Sequence, residues 1–493
     1  MRHTANTKAL GLALAIGIGV SAGAAIAVLP PVPRSVLLAS TALLLGLLGA
    51  RGMLAPLHAN ISLPDRAQSD DRGLRLPRLL YTLGAATIGL LTIRPALAFT
   101  VSDWVFLLAF LLTCAALLGA RMDADYLVTG AVTIGVVLFS VGGLLSSIGA
   151  DSPMQSAAVV ARLIYLTLVW FWLGTILLRT RGQIEAVLFA WVCSAAFSSG
   201  GAIVQYFAGN VIPGGAVSYG RATGFTPQFN SLGGLAATAF TPALMLAVDG
   251  SGRVKRLVGT TSMVLIGAGL LLSGSVGGLL AAFLGTLLWF FLRGVTIRTV
   301  VILTAMVGAG FVLSSATGNT NAPSPLKRIA SVTASGVPAA HGGSIHSRVD
   351  VYRQAWARID EQPLVGAGLD DATSARILGP TPVHNIFINP WFSAGVLGLL
   401  GILFLLCGIF AAGARALRVT GPPDRTVVAA LFASFVAFVI FAMGEPVLYV
   451  RYGWFPAALL LALRAQRARA DSQVRTASVM RAAKLGRIGA AET

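Results

Sequence analysis

Residues 390–412 read PWFSAGVLGLLGILFLLCGIFAA, a run of 23 residues without a charged side chain. A helix needs about 20 predominantly apolar residues to cross the hydrocarbon core of a bilayer. The run is continuous, whereas the strands of a membrane barrel alternate apolar and polar residues. The stretch therefore predicts a membrane-spanning helix, and it decides the fold class because similar runs recur along the chain.

Fourteen apolar runs approach spanning length. The second and the last are short, and two runs separated only by a tight turn, as in 257–293, are easily miscounted, so we predict twelve to fourteen transmembrane helices. The stretch after Lys8 is long and has no clean small-residue cleavage motif before Pro30, which favours a retained first helix over a signal peptide. The runs are 9–29, 35–50, 79–99, 103–120, 126–147, 159–178, 184–208, 230–248, 257–274, 275–293, 299–317, 390–412, 426–443 and 452–463.

Composition supports the same class. Of 493 residues, 56% are hydrophobic and 11% are charged, whereas soluble domains carry about 25% charged residues. So few charges cannot cover the surface of a soluble fold, and the high hydrophobicity excludes a disordered chain. The sequence predicts an all-α polytopic membrane protein. Its three cysteines lie inside apolar runs and show no metal-binding spacing.

The net charge of +18 is better explained by membrane topology, which places basic residues in cytoplasmic segments, than by nucleic-acid binding. With alternating helices and a cytoplasmic N-terminus, 25 Lys and Arg residues fall on the cytoplasmic side, ten fall outside, and Arg162 lies within a helix. The positive-inside rule then predicts that both termini are cytoplasmic. We expect no nucleic-acid partner.

We divide the chain into four parts: about eleven transmembrane helices over 1–317, a large external loop over 318–389, further transmembrane helices over 390–463, and a basic cytoplasmic tail over 464–493. The loop opens with a Ser/Thr/Asn/Pro-rich part. It continues with a predicted amphipathic helix that Ser347 would cap and Pro363 would end. Its apolar face, suited to the membrane surface or to the transmembrane bundle, comprises Val349, Tyr352, Trp356 and Ile359.

Arginines on the outer side are notable because the topological bias works against them. Arg221 precedes a helix predicted to start at Asn230 or Ser231, and the two features together suit an anion such as phosphate. The alternative is an interfacial arginine with Asn230 as an ordinary N-cap, and composition alone favours it.

Two more arginines, Arg348 and Arg353, stand at the start of the loop helix. Each guanidinium is suited to bidentate phosphate contact. The alternative is a solvated helix face on which Asp350 pairs with Arg353 and Glu361 pairs with Arg358.

His384 lies just before a predicted transmembrane helix, with Asn385 as a possible cap. A neutral imidazole there can take a proton from an attacking sugar hydroxyl. A lone surface histidine is the common alternative. Glu445, in the turn Gly444-Glu445-Pro446, either orients His384 or an acceptor sugar, or simply pairs with Arg451, which composition favours.

Several motifs are missing from the sequence. There is no P-loop, no His-Glu-x-x-His and no external carboxylate cluster, so we expect no metal and no cofactor. Apart from Asp103 and Glu185 at helix ends, the predicted helices hold almost no carboxylates, which weakens an ion-coupled carrier.

These segments together resemble the superfamily of bacterial O-antigen ligases and O-antigen polymerases. The order is Arg-x-x-Gly-Phe and Asn before a helix, then an outer loop with Arg, Trp and Pro-x-x-Gly-x-Gly, then His-Asn entering a helix with Gly-x-x-Gly-Leu. The resemblance spans roughly residues 219–400 and does not separate ligase from polymerase. The matching residues are Arg221, Gly224, Phe225, Asn230, Arg348, Trp356, Pro363, Gly366, Gly368, His384, Asn385, Gly395, Gly398 and Leu399.

The resemblance implies a metal-independent, inverting glycosyltransferase on the outer face of the bacterial inner membrane. The donor would be a glycan on a polyprenyl pyrophosphate, and the acceptor would be a glycan or a lipid-linked glycan. Arg221 and Arg348, helped by Arg353, would hold the pyrophosphate, and His384 would activate the acceptor hydroxyl. Asn230, Asn385, Glu445 and Trp356 would support them.

One position departs from the family pattern. Many members carry Ser-Arg-Gly at the start of a middle helix, and Val276 stands where that arginine would be. If that arginine binds donor in relatives, this chain either recruits another, such as Arg353 or Arg376, or has an altered activity.

Three alternatives remain open from sequence. A polysaccharide polymerase of the same superfamily would share every motif. A lipid-linked glycan flippase would need cationic residues inside the bundle, where only Arg162 is a candidate. A non-catalytic membrane scaffold would tolerate loss of His384.

Overall fold

A computed structural model describes residues 73–94, 99–120, 128–215, 217–218, 220–294, 345–419, 422–446 and 448–469. The predicted runs 9–29, 35–50 and 299–317 lie outside these residues, as do the polar start of the loop and most of the basic tail.

Thirteen helices and one two-stranded ribbon make up the described part of the chain. The strands are β1, Val217–Ser218, and β2, Arg221–Ala222. The helices are α1 Arg75–Thr87, α2 Val101–Ala120, α3 Gly130–Ser147, α4 Pro153–Leu177, α5 Arg181–Ala208, α6 Phe229–Asp249, α7 Arg253–Ser273, α8 Val276–Arg293, α9 Ile345–Glu361, α10 Asp371–Leu378, α11 Ile388–Val419, α12 Pro422–Ala442 and α13 over residues 451–469.

The predicted fold class is confirmed: the protein is an all-α polytopic membrane protein. Within the described residues, nine helices are long and apolar enough to cross a membrane, namely α2 to α8, α11 and α12. The run predicted at 79–99 forms only the 13-residue α1. The pair at 257–293 is two separate helices, because Gly274 adopts a left-handed conformation with φ +57° and ends α7.

Glycines allow helices α3 and α11 to pack closely. Helices α3 and α11 run antiparallel with their backbones nearly touching, and a Cβ added at Gly135 would lie 2.5 Å from the amide nitrogen of Leu405. A Cβ at Gly142 would lie 2.5 Å from the carbonyl oxygen of Ala394. Small residues allow this approach in membrane helices, where packing rather than hydrophobic burial drives association.

Helix α11 is broken near its start. Gly395 has φ +69° and ψ −165°, which interrupts the helical hydrogen bonds. The segment Pro363–Gly368 fills the break: Val396 N–H donates to the Pro363 carbonyl at 3.1 Å, and the N–H groups of Ala367 and Gly368 donate to Phe392 and Ser393 at 2.8 and 3.0 Å. The loop backbone thus satisfies polar groups that lipid cannot satisfy.

The amphipathic helix of the loop exists, with corrected boundaries and a corrected face. It is α9, which begins at Ile345 rather than at the predicted cap Ser347 and ends at Glu361. The buried face is Val351, Ala355 and Ile359, at spacings of four, and it packs against Val383 and Phe392. Of the predicted face, Val349 and Trp356 point away from this core and are exposed, because the packed stripe is rotated from the predicted one.

Candidate functional site

Arg221 anchors one side of a polar cluster. It follows the glycine turn of the β1–β2 ribbon, where Gly220 has φ +68°, and it is buried. Its Nε donates to the carbonyl of Ser273 at 2.7 Å, at the C-terminus of α7. The guanidinium carbon lies 3.4 Å from the centroid of the Phe229 ring. A Cβ at Gly274 would lie 3.1 Å from Nε, so a glycine leaves room for this side chain.

Asn230 connects Arg221 to the rest of the cluster. Helix α6 begins at Phe229 with Gln228 at the N-cap, so the interpretation of Asn230 as an ordinary cap is wrong. Instead its Oδ1 accepts from Nη2 of Arg221 at 2.8 Å, and its Nδ2 donates to Oε1 of Glu445 at 2.7 Å.

Glu445 is the centre of the cluster. It lies in the turn between α12 and α13, and its Oε1 also accepts from Nη2 of Arg348, at 3.0 Å. Its second oxygen, Oε2, lies 3.7 Å from Nδ1 of His384. Burial raises the pKa of the Glu445 carboxyl, against the lowering effects of Arg348, Asn230 and Arg221.

The pairing of Glu445 with Arg451 favoured from sequence is wrong. Arg451 forms a buried ion pair with Asp103 instead, in which its Nε donates to the two carboxylate oxygens at 2.8 and 3.0 Å and its Nη2 donates to Oδ2. The N–H and hydroxyl of Thr100 also donate to Asp103. The carboxylate of Glu445 is thereby left to Asn230 and Arg348.

His384 is held from two directions. Tyr352 on α9 donates its hydroxyl to the His384 carbonyl at 2.6 Å, and Nδ1 lies 3.2 Å from the carbonyl oxygen of Gly444. A carbonyl only accepts, so this contact requires a proton on Nδ1 and leaves the lone pair on Nε2. Burial, reinforced by the charge of Arg348, lowers the pKa of His384 to about 4, while the Gly444 contact opposes the shift. The ring is neutral at pH 7.

Two predicted site residues lie apart from this cluster. Arg353 is highly exposed and pairs with Asp350 at 3.5 Å. This is the local pairing that the sequence offered as an alternative. Trp356 is half-exposed and packs its ring against Trp391, with centroids 5.4 Å apart. The geometry gives neither one a contact with Glu445 or His384 among the described residues.

Asn385 and Arg376 have local structural roles. The side chain of Asn385 accepts from the N–H groups of Phe387 and Ile388 at 2.8 and 3.0 Å, at the start of α11. Arg376 pairs with Asp151 at 2.7 Å. Val276 is the first residue of α8. The nearest cationic group that the structure records at the α7–α8 turn is therefore Arg221, through Ser273, and not the predicted Arg353 or Arg376.

Sequence reasoning missed three groups that organise the cluster: the carbonyls of Ser273 and Gly444, and the hydroxyl of Tyr352. Backbone carbonyls carry no residue-type signal. Tyr352 was assigned to an apolar face, although a tyrosine at such a position usually finds a partner for its hydroxyl. Among the described residues, no group of three or more His, Cys, Asp or Glu side chains is arranged to hold a metal ion.

The arrangement brings two guanidinium groups, one carboxylate and one imidazole together from distant parts of the chain. When Glu445 is ionised the two arginines still outnumber it, so the cluster favours an anion. It also holds a neutral ring nitrogen able to accept a proton. Residues 261–403 match a sequence family described as O-antigen ligase.

This segment is similar to the O-antigen ligase family. The match supports the predicted superfamily of O-antigen ligases and polymerases, and with it a multi-pass membrane protein of polysaccharide biosynthesis. The matched O-antigen ligase segment includes Ser273, Arg348 and His384, whereas Arg221, Asn230 and Glu445 lie outside it. A search of curated proteins gives no match.

Proposed function

We propose that the protein transfers a glycan from a polyprenyl-pyrophosphate donor to an acceptor hydroxyl at the outer face of the bacterial inner membrane, with both termini in the cytoplasm. The observation that carries the proposal is the network in which Glu445 joins Arg348, Asn230 and, through Asn230, Arg221, beside His384. This is the cationic pocket with an adjacent imidazole that such a transfer needs.

The arginines would stabilise the leaving group. As the bond between the anomeric carbon and the pyrophosphate oxygen breaks, negative charge develops on the pyrophosphate, and prepositioned cations stabilise that charge. Arg221 is fixed by Ser273 and Phe229, and Arg348 by Glu445. These contacts fix both guanidinium groups before substrate arrives, so little reorganisation is required.

His384 would act as the general base. Nε2 takes the proton of the acceptor hydroxyl as its oxygen forms the new bond to the anomeric carbon from the face opposite the leaving group, which inverts the anomeric centre. The products are the extended glycan and the free polyprenyl pyrophosphate. The Gly444 carbonyl holds the ring in the required tautomer, and Tyr352 holds the backbone of His384.

Purified protein with a polyprenyl-pyrophosphate glycan and an acceptor, without metal or nucleotide, tests the proposal. We expect product from wild type and at least a 100-fold loss with His384→Ala or Arg348→Ala, since general-base catalysis contributes about 10²–10⁴-fold. Arg353→Ala is the matched control, because this arginine lies on the same helix but points into solvent. Equal product from wild type and His384→Ala would remove His384 from the mechanism.

The acceptor distinguishes a ligase from a polymerase. We favour ligase-type transfer, in keeping with the description of the matched family. The same reaction with only the lipid-linked glycan supplied checks this, since a polymerase extends one donor molecule with another and yields a ladder of products. A ligase yields no ladder.

A further inference from the structure

Among the described residues, protein covers only one of the two faces of the loop helix α9. Val351, Ala355 and Ile359 are buried against the bundle. On the other side, Trp356 is 47% exposed, and after the helix Leu364 and Val365 are 71% and 52% exposed. Val349, Trp356 and Ile388 line an open groove of about 430 Å³, with the charged Arg353 and Asp360 also in its wall. We call the exposed set of Val349, Trp356, Leu364 and Val365 the apolar edge.

The depth of this edge follows from its backbone contacts. The carbonyl oxygen of Leu364 would lie 2.2 Å from a Cβ on Gly395, so Leu364 is level with the break in α11. Gly142 of α3 approaches the same turn, since a Cβ on Gly142 would lie 2.5 Å from the carbonyl oxygen of Ala394. Leu364 is therefore level with Gly142.

Gly142 lies inside the membrane-spanning part of α3. That helix has 18 residues, which at 1.5 Å per residue is about 27 Å. The hydrocarbon core is about 30 Å thick, so α3 must use its whole length to span it. Gly142 lies five residues before the end at Ser147, or about 8 Å within the helix. Nearby residues Val141, Leu144 and Leu145 of α3 are exposed apolar side chains at the same level.

We infer that the apolar edge contacts the lipid bilayer directly, with Leu364 and Val365 among the acyl chains of the leaflet at this end of the bundle. Trp356 and Trp391, packed edge to face, then lie at the boundary with the head groups, where tryptophan is enriched. Hydrogen bonds from the N–H groups of Ala367 and Gly368, and to the carbonyl of Pro363, anchor the loop backbone on the broken turn of α11, which satisfies those groups where lipid cannot.

The contact has a consequence for the polar cluster. Arg348 is one residue from Val349 on α9, and Tyr352, which holds His384, is on the same helix. A helix resting in the lipid surface fixes the height of both groups relative to the head groups. The inference stands on the apolar edge and its depth, and it does not depend on the proposed transfer reaction.

Site-directed spin labelling in lipid nanodiscs tests it. Single cysteines replace Leu364 and Val365 in a variant whose native Cys114, Cys193 and Cys407 have been substituted. Asp350→Cys and Glu361→Cys are the controls, since these side chains are also exposed but polar. We expect nitroxides at 364 and 365 to collide at least threefold more with oxygen than with a water-soluble nickel chelate, relative to the controls.

Nickel accessibility at 364 and 365 equal to that at 350 and 361 would overturn the inference, as would low accessibility to both reagents. If the first pair does not fold, Val349→Cys against Arg353→Cys repeats the comparison within α9. Both positions are on the surface of that helix, so neither replacement disturbs a buried contact.

Discussion

The imidazole of His384 lies 3.7 Å from the carboxylate of Glu445, and the carbonyl next to that carboxylate, in Gly444, takes the closer position at 3.2 Å. The carboxylate is committed to Arg348 and Asn230 through its other oxygen. The consecutive residues Gly444 and Glu445 thus have different roles. The Gly444 carbonyl fixes the ring tautomer, and Glu445 fixes the arginine beside the ring.

Glu445→Ala is expected to lower transfer by about 10- to 100-fold, because Arg348 and Asn230 lose their common acceptor, and a hydrogen bond to a charged group contributes about 1.5–3 kcal/mol. Steady-state kinetics with the purified protein measure the loss. Glu361→Ala is the control: that glutamate is exposed and pairs only locally with Arg358, so its rate should change less than twofold. Equal rates for the two variants would contradict a central role for Glu445.

The pH profile of kcat/KM is expected to lack the decline that protonation of an ordinary histidine causes. Because burial and Arg348 lower the pKa of His384 from 6.5 to about 4, the free enzyme keeps a neutral base throughout the range from pH 8 to pH 5. The value of kcat/KM, which reports ionisations of the free enzyme, should stay flat across this range and fall only as the pH approaches 4. A decline centred near pH 6.5 would show an unperturbed histidine.

Asp103→Ala should destabilise the bundle by about 3–5 kcal/mol, since it leaves the buried guanidinium of Arg451 without its ion-pair partner. The apparent Tm in detergent measures the change. Asp350→Ala removes the carboxylate of an exposed pair with Arg353, which contributes about 0–1 kcal/mol, and its Tm should stay near that of wild type. If the two variants had the same Tm, the buried pair would not stabilise the fold.

Gly395→Ala is expected to disrupt the packing of the loop on α11. The residue has φ +69°, and an added Cβ would lie 2.2 Å from the Leu364 carbonyl oxygen. This backbone conformation, with ψ −165°, is essentially restricted to glycine and costs about 1–3 kcal/mol for another residue, so with the added contact the loss should exceed about 2 kcal/mol.

The control for this substitution is Gly200→Ala in α5, where no described atom beyond the local helix backbone lies within 4 Å of the added Cβ and the backbone is helical. Alanine favours a helix over glycine by about 1 kcal/mol, so its Tm should be unchanged or higher. A Gly395→Ala variant as stable as Gly200→Ala would mean that the break in α11 is not required.

Long apolar runs made most of the fold predictable. A run such as 390–412 has few alternatives to a spanning helix, because lipid cannot satisfy its backbone. The break within that helix was not predictable, since Gly395 looks the same in sequence as the packing glycines Gly398 and Gly401. Gly395 differs from them because the fold places the backbone of Leu364 against it.

The residue types of the candidate site were also visible. Arg221 and Arg348 stood out because positive charge on that side opposes the topological bias, and His384 because it lies just before a predicted transmembrane helix. Trp356 matched the same family pattern, but the structure turns it toward the open surface, away from His384. A motif match gives residue identity and order, and it does not say on which side of a helix a side chain points.

The sequence by itself determined that this is a polytopic helical membrane protein, because its apolar runs are long enough to span a bilayer and its charges are too few for any soluble surface. It also determined which arginines and which histidine were candidates. Only the tertiary structure decided the pairing of the two acids, Glu445 with Arg348 and Asp103 with Arg451. The partners of the first pair are 97 positions apart in the sequence, and those of the second are 348 positions apart. Such pairs depend on how the helices pack, which the local sequence does not specify.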